Sequence, residues 1–455
     1  MEKKEKTGKY EIDMCNGSIL KKMLIFALPL MCSSVLQLLF NAADIIVVGK
    51  YAGDNALAAV GSNTALINLL TNLFIGLSIG ANVLVARMYG AKKETELKKT
   101  VHTAILLSII SGILLMVVGI AGARQILIWM QTPKEVLGLA VLYLRIYFLG
   151  MISLMVYNFG SAILRAVGDT RRPLYYLTIA GCVNVVLNLI FVIGFRMGVA
   201  GVASATVISE TISAVLILKC MAKEKGGIHL EWKSLRMDRK IFAQILEIGL
   251  PAGFQGIIFA LSNVVIQSSV NGFGAVVVAG NSAAANIEGF VYVSMNALYQ
   301  TTLSFVSQNM GAGKYQRINR ILFTGQFLVI MVGLIMGNAV VLFGKELLGI
   351  YSDDAGVIAA GLHRMNVIAR TYALCGMMDV MVGALRGIGY SVLPMIVSLI
   401  GACGLRLVWL ATIFQMKPYH TPTMIYLSYP ITWIITLVAH IICYIYLSNK
   451  MPQHK

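Results

Sequence analysis

Four carboxylates lie inside long apolar stretches of this 455-residue chain: Asp44, Glu210, Glu288 and Asp379. An ionised carboxylate at mid-bilayer costs about 2.5–3.5 kcal/mol on insertion scales, so such a residue faces a cavity, a partner or an exchangeable cation. Asp44 has the richest surroundings. Gln37, Asn41 and Asp44 are spaced i, i+4, i+7 and share one stripe of a helix, and Asn184 and Asn188, four apart, make a second polar stripe. One carboxylate with four amides can hold a proton in a hydrogen-bonded network. It can equally offer several oxygens to sodium, a hard cation of the kind that takes oxygen ligands. The same amides can instead act as glue between helices, at about 0.6 kcal/mol each, with Asp44 capping a helix end. Glu288, with Asn281 seven residues earlier on its stripe, is a candidate for attracting a cationic substrate or a second proton, and Asp379 for the same role. Met377, Met378 and Met381 flank Asp379, and flexible thioethers suit a promiscuous apolar cavity. Glu210 has only Ser and Thr nearby. Arg406, a deep basic residue, is either a partner for one of these acids or part of a buried salt bridge.

These residues need a membrane-spanning frame to hold them. Only 13% of the chain is charged and 58% is hydrophobic, against about 25% charged in soluble domains, and mean hydropathy is +0.79. Twelve apolar segments run over 24–48, 57–86, 101–122, 137–162, 173–195, 199–221, 245–270, 276–306, 321–344, 364–385, 391–415 and 424–448, each of about the length that crosses a bilayer. Of the 37 Lys and Arg residues, 27 fall on one side when the connections are counted alternately. Cytoplasmic loops carry such an excess, so the net charge of +17 is a topology signal that puts both termini in the cytoplasm, and nucleic-acid binding is set aside. The polar start of the chain, with Lys3, Lys4, Lys6 and Lys9, has no apolar run ending in a small-residue cleavage site, so it does not read as a signal peptide.

The second half repeats the first. Ala27-Leu28-Pro29 opens the first segment and Gly249-Leu250-Pro251 the seventh, 222 residues later. Gly90 and Gly311 end the second and eighth; Leu164-Arg165-Ala166-Val167-Gly168 and Leu385-Arg386-Gly387-Ile388-Gly389 follow the fourth and tenth; Pro173 matches Pro394, all at an offset of 221. Six segments per half keep both copies in one orientation, the parallel arrangement that secondary transporters use for alternating access. The fold class expected is an all-α integral membrane protein, twelve transmembrane helices in two pseudo-twofold-related six-helix bundles. The divisions are a leader at 1–22, a first lobe at 23–221, a connection at 222–244, a second lobe at 245–448 and a tail at 449–455. Under the repeat Asp44 maps to Val265 or Ile266 and Asp379 to Asn158, so the lobes have diverged at their ionisable positions, as expected where one handles the ion and the other the substrate.

The doubled proline, Asn41-Ala42-Ala43-Asp44-Ile45-Ile46-Val47-Val48-Gly49, Tyr89-Gly90-Ala91 and the doubled Leu-Arg-x-x-Gly resemble the multidrug and toxic-compound extrusion (MATE) family over nearly the whole chain. The resemblance implies a V-shaped, two-lobe antiporter in the plasma membrane, exporting organic cations and other amphipathic compounds, xenobiotics included, against an inward proton or sodium gradient. It makes Asp44 the coupling residue. Asn184 and Asn188 stand where some members place an acid, and no acid lies between Leu250 and Gly272. The partners implied are small amphipathic substrates and membrane lipid, with no cofactor beyond the coupling ion and a monomeric state. A lipid-linked saccharide flippase of the same superfamily is the alternative, favoured by a strongly basic central cavity. An intramembrane enzyme is disfavoured, because HExxH does not occur and Gly76-Leu77-Ser78-Ile79-Gly80, a GxSxG string, lies inside an apolar segment with no strand before it. Gly311-Ala312-Gly313-Lys314-Tyr315 lacks the spacing and the Ser/Thr of a phosphate loop. The seven cysteines show no metal-site spacing.

Overall fold

The computed structural model describes residues 10–451. Lys3, Lys4, Lys6, Lys9 and Lys455, which contribute to the charge asymmetry, lie outside the described residues. Among those described the chain is helical with no strand: α1 (Ile19–Tyr51), α2 (Asp54–Gly90), α3 (Glu94–Trp129), α4 (Lys134–Leu149), α5 (Met151–Ala166), α6 (Arg171–Asn188), α7 (Val199–Lys223), α8 (Arg239–Asn271), α9 (Ala275–Gly311), α10 (Tyr315–Leu342), α11 (Gly344–Gly349), α12 (Ala355–Gly387), α13 (Val392–Ser398), α14 (Leu405–Ala411) and α15 (Pro422–Ser448). Eleven helical runs are long and apolar enough to cross a bilayer, and α4 with α5, bent by 47° at Gly150, makes a twelfth. Each of the twelve apolar segments therefore has its helix. Two spans change helical type: α6 continues as a π-helical stretch, Leu189–Gly194, and α13 reaches α14 through another, Leu399–Gly404.

The chain divides into two compact units, and the division falls inside helices. One unit holds Leu28–Gly253 with the stretch ending at Asp13; the other holds Met14–Ala27 with the chain from Phe254 onward. These limits differ from lobes that begin at 23 and 245. The passage lies beside Pro29 in α1 and Pro251 in α8, where a missing N–H interrupts the i→i−4 ladder and lets two half-helices follow different partners.

In the first unit the opening half of α8 docks on α2 through interlocked small residues. A Cβ on Gly76 would sit 2.3 Å from the Gly253 nitrogen, and one on Gly80 would sit 2.4 Å from the Ile245 carbonyl oxygen. Gly76 with Gly80, and Gly249 with Gly253, are four apart, so each pair forms one ridge that permits backbone contact. The core beside them includes Val48, Ala59, Leu127, Leu144, Phe148, Met151 and Val202, all fully or nearly fully buried. The phenol of Tyr89 donates to Glu11 at 3.0 Å. Asp169, buried just before α6, accepts the backbone N–H of Arg171 and Arg172 at 3.1 Å each, and Arg172 bridges it to Glu224.

In the second unit Phe26 meets Phe305 edge-on at 5.5 Å. The repeated turn after α9 anchors the segment that precedes α1. There Asn309 donates to the Met14 carbonyl at 3.1 Å, and Lys314 to that of Cys15 at 3.0 Å. The core divides into one cluster around Met378, Ala402, Tyr426 and Trp433 and another around Ala284, Leu348, Met365 and Ala369.

Candidate functional site

In the first unit α1 and α6 approach closely because Gly181 has no side chain. A Cβ there would lie 1.9 Å from the Phe40 ring. One turn beyond each of these residues the polar groups meet. The side-chain amide of Asn188 donates to the Asp44 carboxylate and, at 2.8 Å, to Asn184 Oδ1. Asn188 is fully buried, Asn184 is 8% exposed, and the Asn188 Oδ1 atom is buried with no hydrogen-bond partner. The π-helical stretch begins at the next residue, with Phe195 N–H donating to the Ile190 carbonyl at 3.0 Å, the kind of irregular turn found frequently at functional sites.

Gln37 and Asn41, expected on the same stripe, stand exposed and do not enter this cluster. Their spacing is right, but a stripe running along α1 meets α6 only at its Asp44 end. Glu210 enters instead. Its Oε2 is buried without a partner, and a Cβ on Gly150, the residue at the bend between α4 and α5, would lie 2.8 Å from that atom. Tyr143 and Tyr147, stacked at 5.9 Å, lie within electrostatic reach of both Asp44 and Glu210. Among the described residues neither acid has an ion-pair partner. The unit thus holds two carboxylates and an unused amide oxygen, a set that lacks a positive charge and can accept one. A cavity of about 610 Å³ in the same unit lies elsewhere, between the start of α3 and the connection, and is lined by Lys98, Lys99, His102, Arg236 and Asp238 among others.

The second unit is arranged differently. Glu288, expected as an available acid, is 1% exposed and paired with Arg364: Nη2 lies 2.8 Å and Nε 3.2 Å from Oε2. Asn281 belongs to this pair and not to an open site, accepting from Arg364 Nη1 at 2.6 Å and donating to Gln267 at 3.0 Å. Arg406 meets neither expectation set for it. It has no acidic partner among the described residues; its guanidinium carbon stands 4.0 Å from the centre of the Tyr429 ring, and Nη2 donates to Thr432 at 3.0 Å.

Asp379 is half-buried and within electrostatic reach of Tyr292, Cys375 and Arg386. Met378 and Met381 are core residues at 2% and 3% exposure, while Met377 is half-buried and its carbonyl accepts from Gln326 at 3.0 Å. Asn158 lies in the other unit and donates to the Leu154 carbonyl of its own helix at 2.8 Å. Asp354 accepts the N–H groups of Gly356 and Val357 and caps α12, which places Arg364 well inside the helix rather than at its mouth, although its pairing with Glu288 had no signal in the sequence. Glu210 had none, because its neighbour Gly150 is distant in the chain.

Twelve apolar spans, a sequence repeat and uncompensated carboxylates inside the spans define a multi-pass membrane transporter. The sequence profile of the MatE family matches residues 29–190 and again 251–411, reproducing the internal repeat. The chain therefore belongs to the MatE family, the MATE transporters that its motifs resemble. It is 26% identical to the probable multidrug resistance protein YoeA of Bacillus subtilis over 86% of each chain. It is 24% identical to the FAD transporter of Shewanella oneidensis over 97% of this chain and 96% of that one. An outward-facing multidrug resistance MATE transporter of the MOP superfamily shares the fold with a TM-score of 0.91, 21% identity and coverage of 98% and 99%.

Proposed function

We propose that the protein exports small amphipathic compounds from the cytoplasm in exchange for inward-moving protons or sodium ions, with Asp44 as the coupling carboxylate. The chain resides in the plasma membrane with both termini inside. The reading rests on one observation, the Asp44–Asn188–Asn184 cluster inside a span, with its spare amide oxygen and no Lys or Arg paired to it among the described residues. A carboxylate there is neutralised by a proton, or by a sodium ion that collects the carboxylate and amide oxygens. Either arrival removes the charge that holds the Asn188 amide, and α1 and α6 repack around the neutral group. Release of the ion on the inner side restores the hydrogen bond and resets the cycle, so ion and substrate occupy alternate states. Relatives that include a probable multidrug resistance protein and an FAD transporter support export of bulky, partly aromatic solutes.

Ethidium efflux from cells tests the coupling role. Asp44→Asn, expressed at the wild-type level, is expected to lose gradient-driven efflux; pumping at the wild-type rate removes Asp44 from the mechanism. Proteoliposomes with pH and sodium gradients imposed separately identify the ion. The flippase reading finds less support, since of the two buried arginines that flank Tyr429 in the second unit, Arg364 is neutralised by Glu288.

A further inference from the structure

We propose that Arg406 and the aromatic rings around it form an anion subsite, taking the carboxylate or phosphate of a zwitterionic or anionic amphiphile; the substrate class rests on the export reading above. Charge balance inside the second unit carries the argument. Two guanidinium groups flank Tyr429, Arg364 at 5.7 Å and Arg406 at 4.0 Å from its ring centre. Of the two carboxylates inside the spans of this unit, Glu288 is already committed to Arg364 and Asp379 lies within electrostatic reach of Arg386; neither forms an ion pair with Arg406 among the described residues.

Arg406 is 3% exposed, its Nε is buried with no hydrogen-bond partner, and one neutral hydroxyl, that of Thr432, accepts from it. A guanidinium presents five N–H donors in a fork that fits a carboxylate or phosphate, and burying it without a counter-charge is costly. Stacking on Tyr429 offsets part of that cost and leaves the fork unfilled. The residue is the second of α14, two positions after the π-helical stretch Leu399–Gly404, an irregular turn of the kind found frequently at functional sites.

The surroundings suit the rest of such a ligand. Tyr429 packs edge-on against Trp433 at 5.6 Å, Trp433 against Tyr372 at 5.4 Å, and Tyr372 against Tyr292 at 6.5 Å, with Tyr292 39% exposed. This run of four rings leads from an accessible side chain to the guanidinium. A flat apolar body lies against the rings and places its acidic end at Arg406. A purely cationic compound meets an unbalanced positive charge at the same point.

Rhodamine 123, a cationic methyl ester, and rhodamine 110, its zwitterionic free acid, differ at the carboxylate and separate the possibilities. With the purified full-length protein, fluorescence anisotropy is expected to show rhodamine 110 bound about ten-fold more tightly, the increment of a charge-assisted hydrogen bond. Arg406→Gln is expected to abolish that preference by weakening rhodamine 110 while rhodamine 123 binds no more weakly than before, and Arg406→Lys to retain part of it. Equal affinities, or preference for the ester, in the unmodified protein overturn the subsite without recourse to any variant. Gradient-driven efflux of both dyes from proteoliposomes tests the underlying reading separately. Export of rhodamine 123 with no binding of rhodamine 110 refutes the subsite and keeps the exporter. Arg406-dependent binding of rhodamine 110 with no export of either dye does the reverse. Absence of binding by both dyes overturns the subsite.

Discussion

The two units share a repeat but carry opposite residual charge. In the first, Asp44 and Glu210 face each other's fields with no base at hand. In the second, an acid and a base cancel at Glu288–Arg364, Asp379 lies within electrostatic reach of Arg386, and a further base, Arg406, is left over. Duplication preserved what bounds the spans: the prolines, the Leu-Arg-x-x-Gly turns and the glycines Gly90 and Gly311 that close α2 and α9. It did not preserve charge. Position 44 corresponds to Val265 or Ile266. An acid inside a span without a counter-charge costs stability, which the proposed exchange with an ion would account for, whereas a buried ion pair is accounted for by packing.

The contrast breaks most readily at Arg364. Arg364→Leu strands the Glu288 carboxylate and is expected to cost about 3–5 kcal/mol, lowering the melting temperature in detergent. Adding Glu288→Gln should restore most of the loss. Asp44→Asn, by comparison, is expected to melt no lower than wild type. If Arg364→Leu melts like the parent, the two acids are not different in kind.

A second test acts on geometry alone. Gly181→Leu drives a side chain into Phe40 and is expected to cost about 1–3 kcal/mol by overpacking. It should reduce ethidium efflux as far as Asp44→Asn does, because Asn188 is drawn away from the carboxylate. Normal efflux in that variant would mean that the Asp44–Asn188 hydrogen bond is incidental. The smallest effect is expected from Gln37→Ala and Asn41→Ala, which lie outside the cluster; efflux rates within about two-fold of wild type are expected, in line with the small change usual at surface positions. A large loss at either would return the whole stripe on α1 to the site.

Hydropathy length and the repeat made the twelve spans, their order and the pairing of the Asp44 and Asn184/Asn188 stripes legible, since these depend on local periodicity and composition. Three features were not. The unit boundary inside α1 and α8 depends on which neighbours the half-helices choose, and Pro29 and Pro251 mark the place without naming the partner. Glu210 joins the first acid through Gly150, a contact between distant parts of the chain. Arg364 stands at the very start of the apolar window 364–385 and so looks like an end residue, but the window starts late; the Asp354 cap shows where the helix begins. Local pattern fixes where helices run, and long-range contact decides which charges cancel.

The glycine ridge on α8 bears on ancestry. Residues Arg239–Gly253 lead into the second copy of the repeat yet pack with the first unit, and Met14–Ala27 lead into the first copy yet pack with the second unit. Had the ancestor been a six-span chain forming pairs, its partners would have exchanged their opening half-helices, in the manner of a domain-swapped dimer. Fusion of such copies would make that exchange permanent, with each unit of the present chain completed by a half-helix from beyond its own stretch.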